Sequence, residues 1–232
     1  MNTADVNRGY LKIEGAARAF NFDFKDKVVL DIGSSTGGFT EYALNHGAKK
    51  VIAVEKGSHQ MKAPLRFDSR IDLHEKIDIF DVGIQREPSE GISERGNARV
   101  SALAPLDANY RGRNVRDKRT RATRPEKMLL STPDIIVADV SFLSLTKVLE
   151  HAKYNLSDSH TVFLVMLKPQ FEAKPDQLKN GVVKNETIRR QIIKQFEYWL
   201  KTNNFLVIKK RDNDLHGKTG NKERFYYLKL AK

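Results

Sequence analysis

The chain contains no cysteine. That absence removes disulfides, thiolate zinc sites and iron–sulfur clusters, along with the radical enzymes built on such clusters. It also removes enzymes that attack a pyrimidine ring through a cysteine nucleophile. Six histidines are present, but His46, His59, His74, His151, His160 and His216 never fall at metal-ligand spacing, so no metal site is expected. No apolar run approaches the ~18 residues that a membrane span needs, and residues 1–6 carry no apolar signal region. A cytoplasmic protein with no membrane partner is the expectation.

Charge is plentiful and lopsided. Forty-one basic residues stand against twenty-nine acidic ones, a formal net charge of +12. An excess of that size favours a polyanionic partner, nucleic acid above all, although general solubility is the plainer reading of the same number. Half of the excess sits in one place: Tyr110 to Lys127 holds eight basic residues against Asp117 and Glu126. From Arg86 to Lys127 no apolar periodicity is sustained, so this stretch is expected to be a weakly structured insertion.

Elsewhere the periodicity is informative. Apolar residues at Ile13, Ala16, Ala17 and Phe20 predict a helix over 9–20, and Ile188, Ile192, Phe196, Trp199 and Leu200 predict another over 187–202. Short β-branched runs predict strands at 28–32, 51–54, 71–75, 135–138, 162–167, 205–210 and 225–230. Strands alternating with helices imply an α/β fold around a mostly parallel seven-stranded sheet. The polar link from Asp212 to Asn221 has no room for a crossover helix, so the last strand should return antiparallel. The expected layout is one domain over 1–232, with the insertion at about 86–127 between the third and fourth strands of that sheet.

Ligands in such sheets bind beyond the carboxyl ends of the strands, near the point where strand order reverses. Three segments should meet there: Gly33 to Gly38, Asp139 to Phe142, and Lys168 to Phe171. The first follows a strand ending in Asp31-Ile32 and reads Gly33-Ser34-Ser35-Thr36-Gly37-Gly38-Phe39. It has neither the glycine spacing of dinucleotide enzymes nor the Gly-Lys-Ser/Thr of phosphate loops. It resembles instead the loop of S-adenosylmethionine (SAM) methyltransferases. Glu55, closing the second strand, is placed to hold ribose hydroxyls, and a side chain at Gly37 is expected to obstruct the ligand. After the fourth strand, Asp139-Val140-Ser141-Phe142 lacks the prolines found in enzymes that methylate exocyclic base amines. Lys168 at a strand end could orient or deprotonate a hydroxyl, whereas the plainer readings are a snorkelling surface lysine for Lys168 and a helix cap before Ser141–Leu149 for Asp139.

Six segments in register carry a closer resemblance: Asn7–Lys12, Asp31–Thr40, Ala138–Leu145, Leu167–Glu172, Gly181–Val183 and Gly220–Glu223. Together they are similar to the TlyA (haemolysin A) family of FtsJ-like 2′-O-methyltransferases. The resemblance implies a Rossmann-like methyltransferase fold, SAM as cofactor, and methyl transfer to a ribose 2′-hydroxyl of RNA, with ribosomal RNA or a ribosomal subunit as partner. It implies a catalytic set at Lys12, Asp139, Lys168 and Glu223. It implies cofactor contacts from Asp31, Gly33, Ser34, Gly37, Gly38, Phe39, Glu55, Asp78 and Asp139. The chain departs from the family in lacking its usual N-terminal S4-type domain, in the insertion at 86–127, and in Glu55 where the family has Asp.

Three rivals remain at this stage. A nicotinamide oxidoreductase could use Glu55, against the glycine spacing. A silent RNA-binding protein of the same fold would not need all four candidate catalytic residues. A cytolysin would need a membrane-inserting segment, which the sequence does not offer.

Overall fold

Helix α1 (Arg8–Phe20) starts where the Asn7 side chain accepts the Gly9 amide at 3.0 Å, and it buries Lys12, Ile13, Ala16, Ala17 and Phe20 along one stripe. The computed structural model describes residues 7–85, 128–215, 217 and 220–231. The expectations for the basic insertion at 86–127 therefore lie outside the described residues.

Strands β1 (Val28–Ile32), β2 (Lys50–Glu55) and β3 (Ile71–Glu75) run one way from the sheet centre. Strands β6 (Ile135–Ala138), β7 (Val162–Leu167), β8 (Phe205–Asp212) and β9 (Arg224–Leu230) fill the other half. The order is β3-β2-β1-β6-β7-β9-β8. Every neighbouring pair is parallel except those involving β9, which runs antiparallel to both β7 and β8. The expected fold class, strand positions and antiparallel last strand all hold, with shifts of at most two residues at the strand ends. Strand order reverses between β1 and β6, so the carboxyl ends of those strands are where a crevice must open.

The alternation of side chains across the strands sorts the core into two layers. Leu30, Ile136, Ala138, Phe163 and Val165 pack under α3 (Leu145–Asn155) and α5 (Glu186–Thr202), which are separated along the chain by β7 and the short α4 (Pro169–Glu172). Val29, Ile135, Val137, Leu164, Met166 and Phe225 pack under α1 and α2 (Gly38–Asn45). Helix α5 buries Ile192, Phe196 and Leu200 as expected, and Arg189 unexpectedly joins that buried side. A short parallel pair, β4 (Val82–Ile84) and β5 (Met128–Leu130), was not anticipated, because three-residue strands show no period. Helix α3 begins at Leu145 behind Ser144. Asp139 therefore caps no helix, which corrects the plainer reading of that residue.

The α1–α2 contact depends on Gly38. A methyl group there would lie 2.6 Å from the Tyr10 amide nitrogen, 2.7 Å from Asn7 Oδ1 and 2.8 Å from Gly9 Cα. Two of those atoms are backbone and cannot swing aside. Gly38→Ala should therefore push α1 off the sheet and cost about 1–3 kcal/mol, the usual scale of overpacking. Urea unfolding with an unchanged midpoint would show that this contact is loose.

Candidate active site

At the crevice end of the sheet, in the last residues of the strands or just outside them, the row of side chains facing α1 and α2 changes from apolar to charged. Asp31 continues the row of Val29, Asp139 that of Ile135 and Val137, Lys168 that of Leu164 and Met166, and Glu223 precedes Phe225 by two. Lys12 meets this row from α1. The result is a chain of alternating charges. Lys168 Nζ lies 2.6 Å from Asp139 Oδ1, Lys12 Nζ lies 3.8 Å from Asp139 Oδ2, and Lys12 Nζ lies 2.7 Å from Glu223 Oε2. Lys168 also donates to Ser141 Oγ at 2.8 Å. Its burial, with 8% of its surface exposed, excludes a snorkelling surface lysine. All four residues line one cleft of about 1410 Å³, and the Gly33–Gly38 loop forms part of the same wall.

Asp31 is the most perturbed acid in the cleft. It is 1% exposed and accepts a 2.6 Å hydrogen bond from the Thr40 hydroxyl. Burial pushes its pKa up to about 7, with the Asp139 and Glu55 charges adding to the rise and the Thr40 bonds opposing it. Two further groups point to a missing ligand. Ser34 Oγ and Gln170 Oε1 are buried, border the cleft and have no hydrogen-bond partner among the described residues. A polar loop, an acid able to ionise beside a cation and two unsatisfied oxygens fit an amino-acid-bearing sulfonium such as SAM.

Not every expected cofactor residue faces the cleft. Asp31, Gly33, Ser34, Gly38, Phe39 and Asp139 line it, whereas Gly37, Glu55 and Asp78 do not. The Glu55 carboxylate turns to the loop itself, accepting the amides of Ser35 at 2.9 Å and Gly57 at 2.6 Å. Asp78 pairs with Lys56 at 2.8 Å and caps the turn at Phe80. Gly37 has φ +88°, and a methyl group there would strike the Leu65 and Met61 side chains. Backbone strain and the 61–65 segment are what a side chain at this glycine would meet.

The structure also adds residues that sequence reasoning left aside. Asn7 Nδ2 donates to Thr36 Oγ1 at 2.9 Å and so ties the start of α1 to the glycine loop. Phe142, in a left-handed conformation at φ +61°, stands 91% exposed at the cleft and packs on Phe171 at 5.2 Å between ring centres. An exposed phenylalanine three residues after a half-buried acid has no periodic signal; only its place in the Asp139–Phe142 segment marked it. Among the described residues no cluster of three or more His, Asp or Glu could hold a metal ion, and no helix is long and apolar enough to cross a membrane.

Comparison with known proteins finds relatives over most of the chain. The family model described as FtsJ-like methyltransferase matches residues 6–230. The chain is 30% identical over 193 residues to Hemolysin A of Brachyspira hyodysenteriae, covering 83% of this chain and 63% of that protein. It is 28% identical over 224 residues to the 23S rRNA (cytidine-2′-O)-methyltransferase TlyA of Campylobacter jejuni, covering 96% and 70% respectively. A solved structure named as a hemolysin from Streptococcus thermophilus superposes with a TM-score of 0.74 at 28% identity, over 100% of this chain and 69% of that one. The chain thus spans less than two thirds of the Brachyspira protein.

Asp31 makes folding stability depend on pH. An unfolded aspartate titrates near 4 and the folded one near 7, so between those values the folded chain binds the extra proton. Stability should therefore fall as pH rises through this window, by on the order of 4 kcal/mol from this group alone. Asp31→Asn keeps an oxygen for the Thr40 hydroxyl and removes the titration. Urea midpoints followed from pH 4 to 7 should lose that component of the slope in the variant; an identical slope would mean that Asp31 ionises freely.

Proposed function

The chain belongs to the FtsJ-like methyltransferase family, and from that premise we propose that it transfers the methyl group of SAM to a ribose 2′-hydroxyl of RNA, ribosomal RNA being the substrate class. The observation that carries the reading is Lys168, a buried amine held by Asp139 and Ser141 yet bordering the cleft beside the glycine loop. The net charge of +12 fits a polyanionic substrate. The Campylobacter relative, a 23S rRNA (cytidine-2′-O)-methyltransferase by name, supports ribose chemistry and ribosomal RNA.

The cofactor supplies a methyl group already activated on a sulfonium. What is left to the chain is to align the acceptor oxygen and to help remove its proton. Lys168 is the group that meets the hydroxyl, orienting it by hydrogen bonding as the ammonium paired with Asp139, or taking its proton once the amine has released one of its own. Asp139 fixes Lys168 and reaches towards Lys12, and Glu223 balances Lys12. Asp31, Gly33, Ser34, Gly38 and Phe39 hold the cofactor, and Asp139 borders both halves. Glu55 and Asp78 would serve the cofactor's ribose and adenine only by exchanging the partners they have here.

Lys168→Ala should lower methyl transfer by ~10²–10⁴-fold, the usual worth of a positioned acid–base group, while SAM affinity stays within a few-fold. Labelled SAM with RNA or ribosomal subunits measures the first, and calorimetry the second. The methylated nucleotide should resist alkaline cleavage. A methylated base in the digest, or an active Lys168→Ala protein, would overturn the assignment.

A further inference from the structure

Glu223 is buried and close to charge-balanced with Lys12, but its backbone belongs to a loop rather than to a strand. Two buried side chains that hold that loop, Asn221 and Arg189, lie outside the lining of the cleft. Asn221, 2% exposed, donates from Nδ2 to the Gly181 carbonyl at 3.0 Å and accepts the Val183 amide on Oδ1 at 3.1 Å. Arg189 of α5, 5% exposed, donates from Nε to the Lys222 carbonyl at 3.2 Å. The two residues before Glu223 are thus pinned to separate parts of the fold. The Glu223 carbonyl itself accepts the Asn213 amide at 2.9 Å.

Charge pairing alone does not account for Arg189. Its guanidinium meets Glu186 at 3.1 Å and Asp212 at 2.6 Å, but Arg224 already pairs with Asp212 at 2.6 Å. Burying an arginine is costly unless all of its donors are used. The donor that a lysine could not replace while keeping Asp212 is the one aimed at Lys222, because only the planar fork points in three directions at once. Neither Arg189 nor Asn221 borders the cleft.

We propose that Arg189 and Asn221 are positioning residues, which set the Glu223 carboxylate against Lys12 and so keep the Lys12–Asp139–Lys168 chain assembled for catalysis. This rests on the methyltransferase reading above.

A double-mutant cycle separates this role from ordinary structural support. Arg189→Lys and Asn221→Ala would be made alone and together with Glu223→Gln. Melting temperature, SAM affinity, and kcat and KM for RNA would be read on each. Each single variant should lose about tenfold in kcat, the scale of one lost hydrogen bond, with SAM affinity and KM within about twofold. In the Glu223→Gln background the same changes should cost little more, since their effect passes through that carboxylate. Unchanged kcat, or a full second loss in that background, overturns the inference. If Asn221→Ala does not fold, Arg189→Lys decides alone. A wild-type chain that methylates no RNA overturns the methyltransferase reading itself, and with it this inference.

Discussion

Two lysines and two acids share the interior end of the cleft, and the arrangement stands only because their charges alternate. Lys12 and Glu223 are both more than nine-tenths buried, as is Lys168. Taking such groups out of water costs several kcal/mol apiece unless each finds an opposite charge and its remaining donors are used. The chain Lys168–Asp139–Lys12–Glu223 sums to zero, which makes the burial tolerable. Removing one member would strand another. The placement of α1 follows from this as much as from its apolar stripe: Lys12 is one turn ahead of Ala16 on the buried side, so seating the helix also seats the charge.

The same geometry explains why residues so distant in sequence converge. A strand presents alternate residues to each face, so a position facing α1 within the sheet is followed two residues later by another facing the same way. Within the strands those positions are apolar and make a core. At the end of β1 the position is Asp31, one step beyond β6 and β7 the positions are Asp139 and Lys168, and ahead of β9 it is Glu223. The site is the core row continued into a crevice that the reversal of strand order holds open.

That much could be read from the sequence. The β-branched runs fixed the strands to within two residues, and counting by two from Val29, Val137 and Met166 reaches the three strand-end groups. The four candidate catalytic residues come together as the family resemblance implied. Other features have no one-dimensional signature. Arg189 occupies the apolar side of an amphipathic helix, where periodicity expects a hydrophobe, and its reason is a carbonyl 33 residues away. The Ser35 amide reaches Glu55 only because the glycine loop folds back to the end of β2. Gly38 reads as a cofactor-loop glycine, yet the structure shows that the backbone of α1 passes too close for any side chain. The pair β4–β5 is too short for either period to register.

The two halves of the site differ in how they are assembled. Asp31, the glycine loop and Glu55 belong to β1, α2 and β2, consecutive elements whose contacts close over short loops. The half that carries the alternating charges is built otherwise: Lys12 comes from the first described helix and Glu223 from the threshold of the last strand, with Asp139 and Lys168 between. It is complete only when β9 has inserted between β7 and β8 and α1 has docked on the same face. The link from Asn7 to Thr36 joins the halves, since the residue that starts α1 also grips the glycine loop. Order in the Lys12–Asp139–Lys168–Glu223 chain is therefore a property of the closed sheet as a whole, whereas the Asp31 side can form from local structure. Loosening β9 or α1 would dismantle the Lys12–Glu223 pair first and leave the Asp31 side standing.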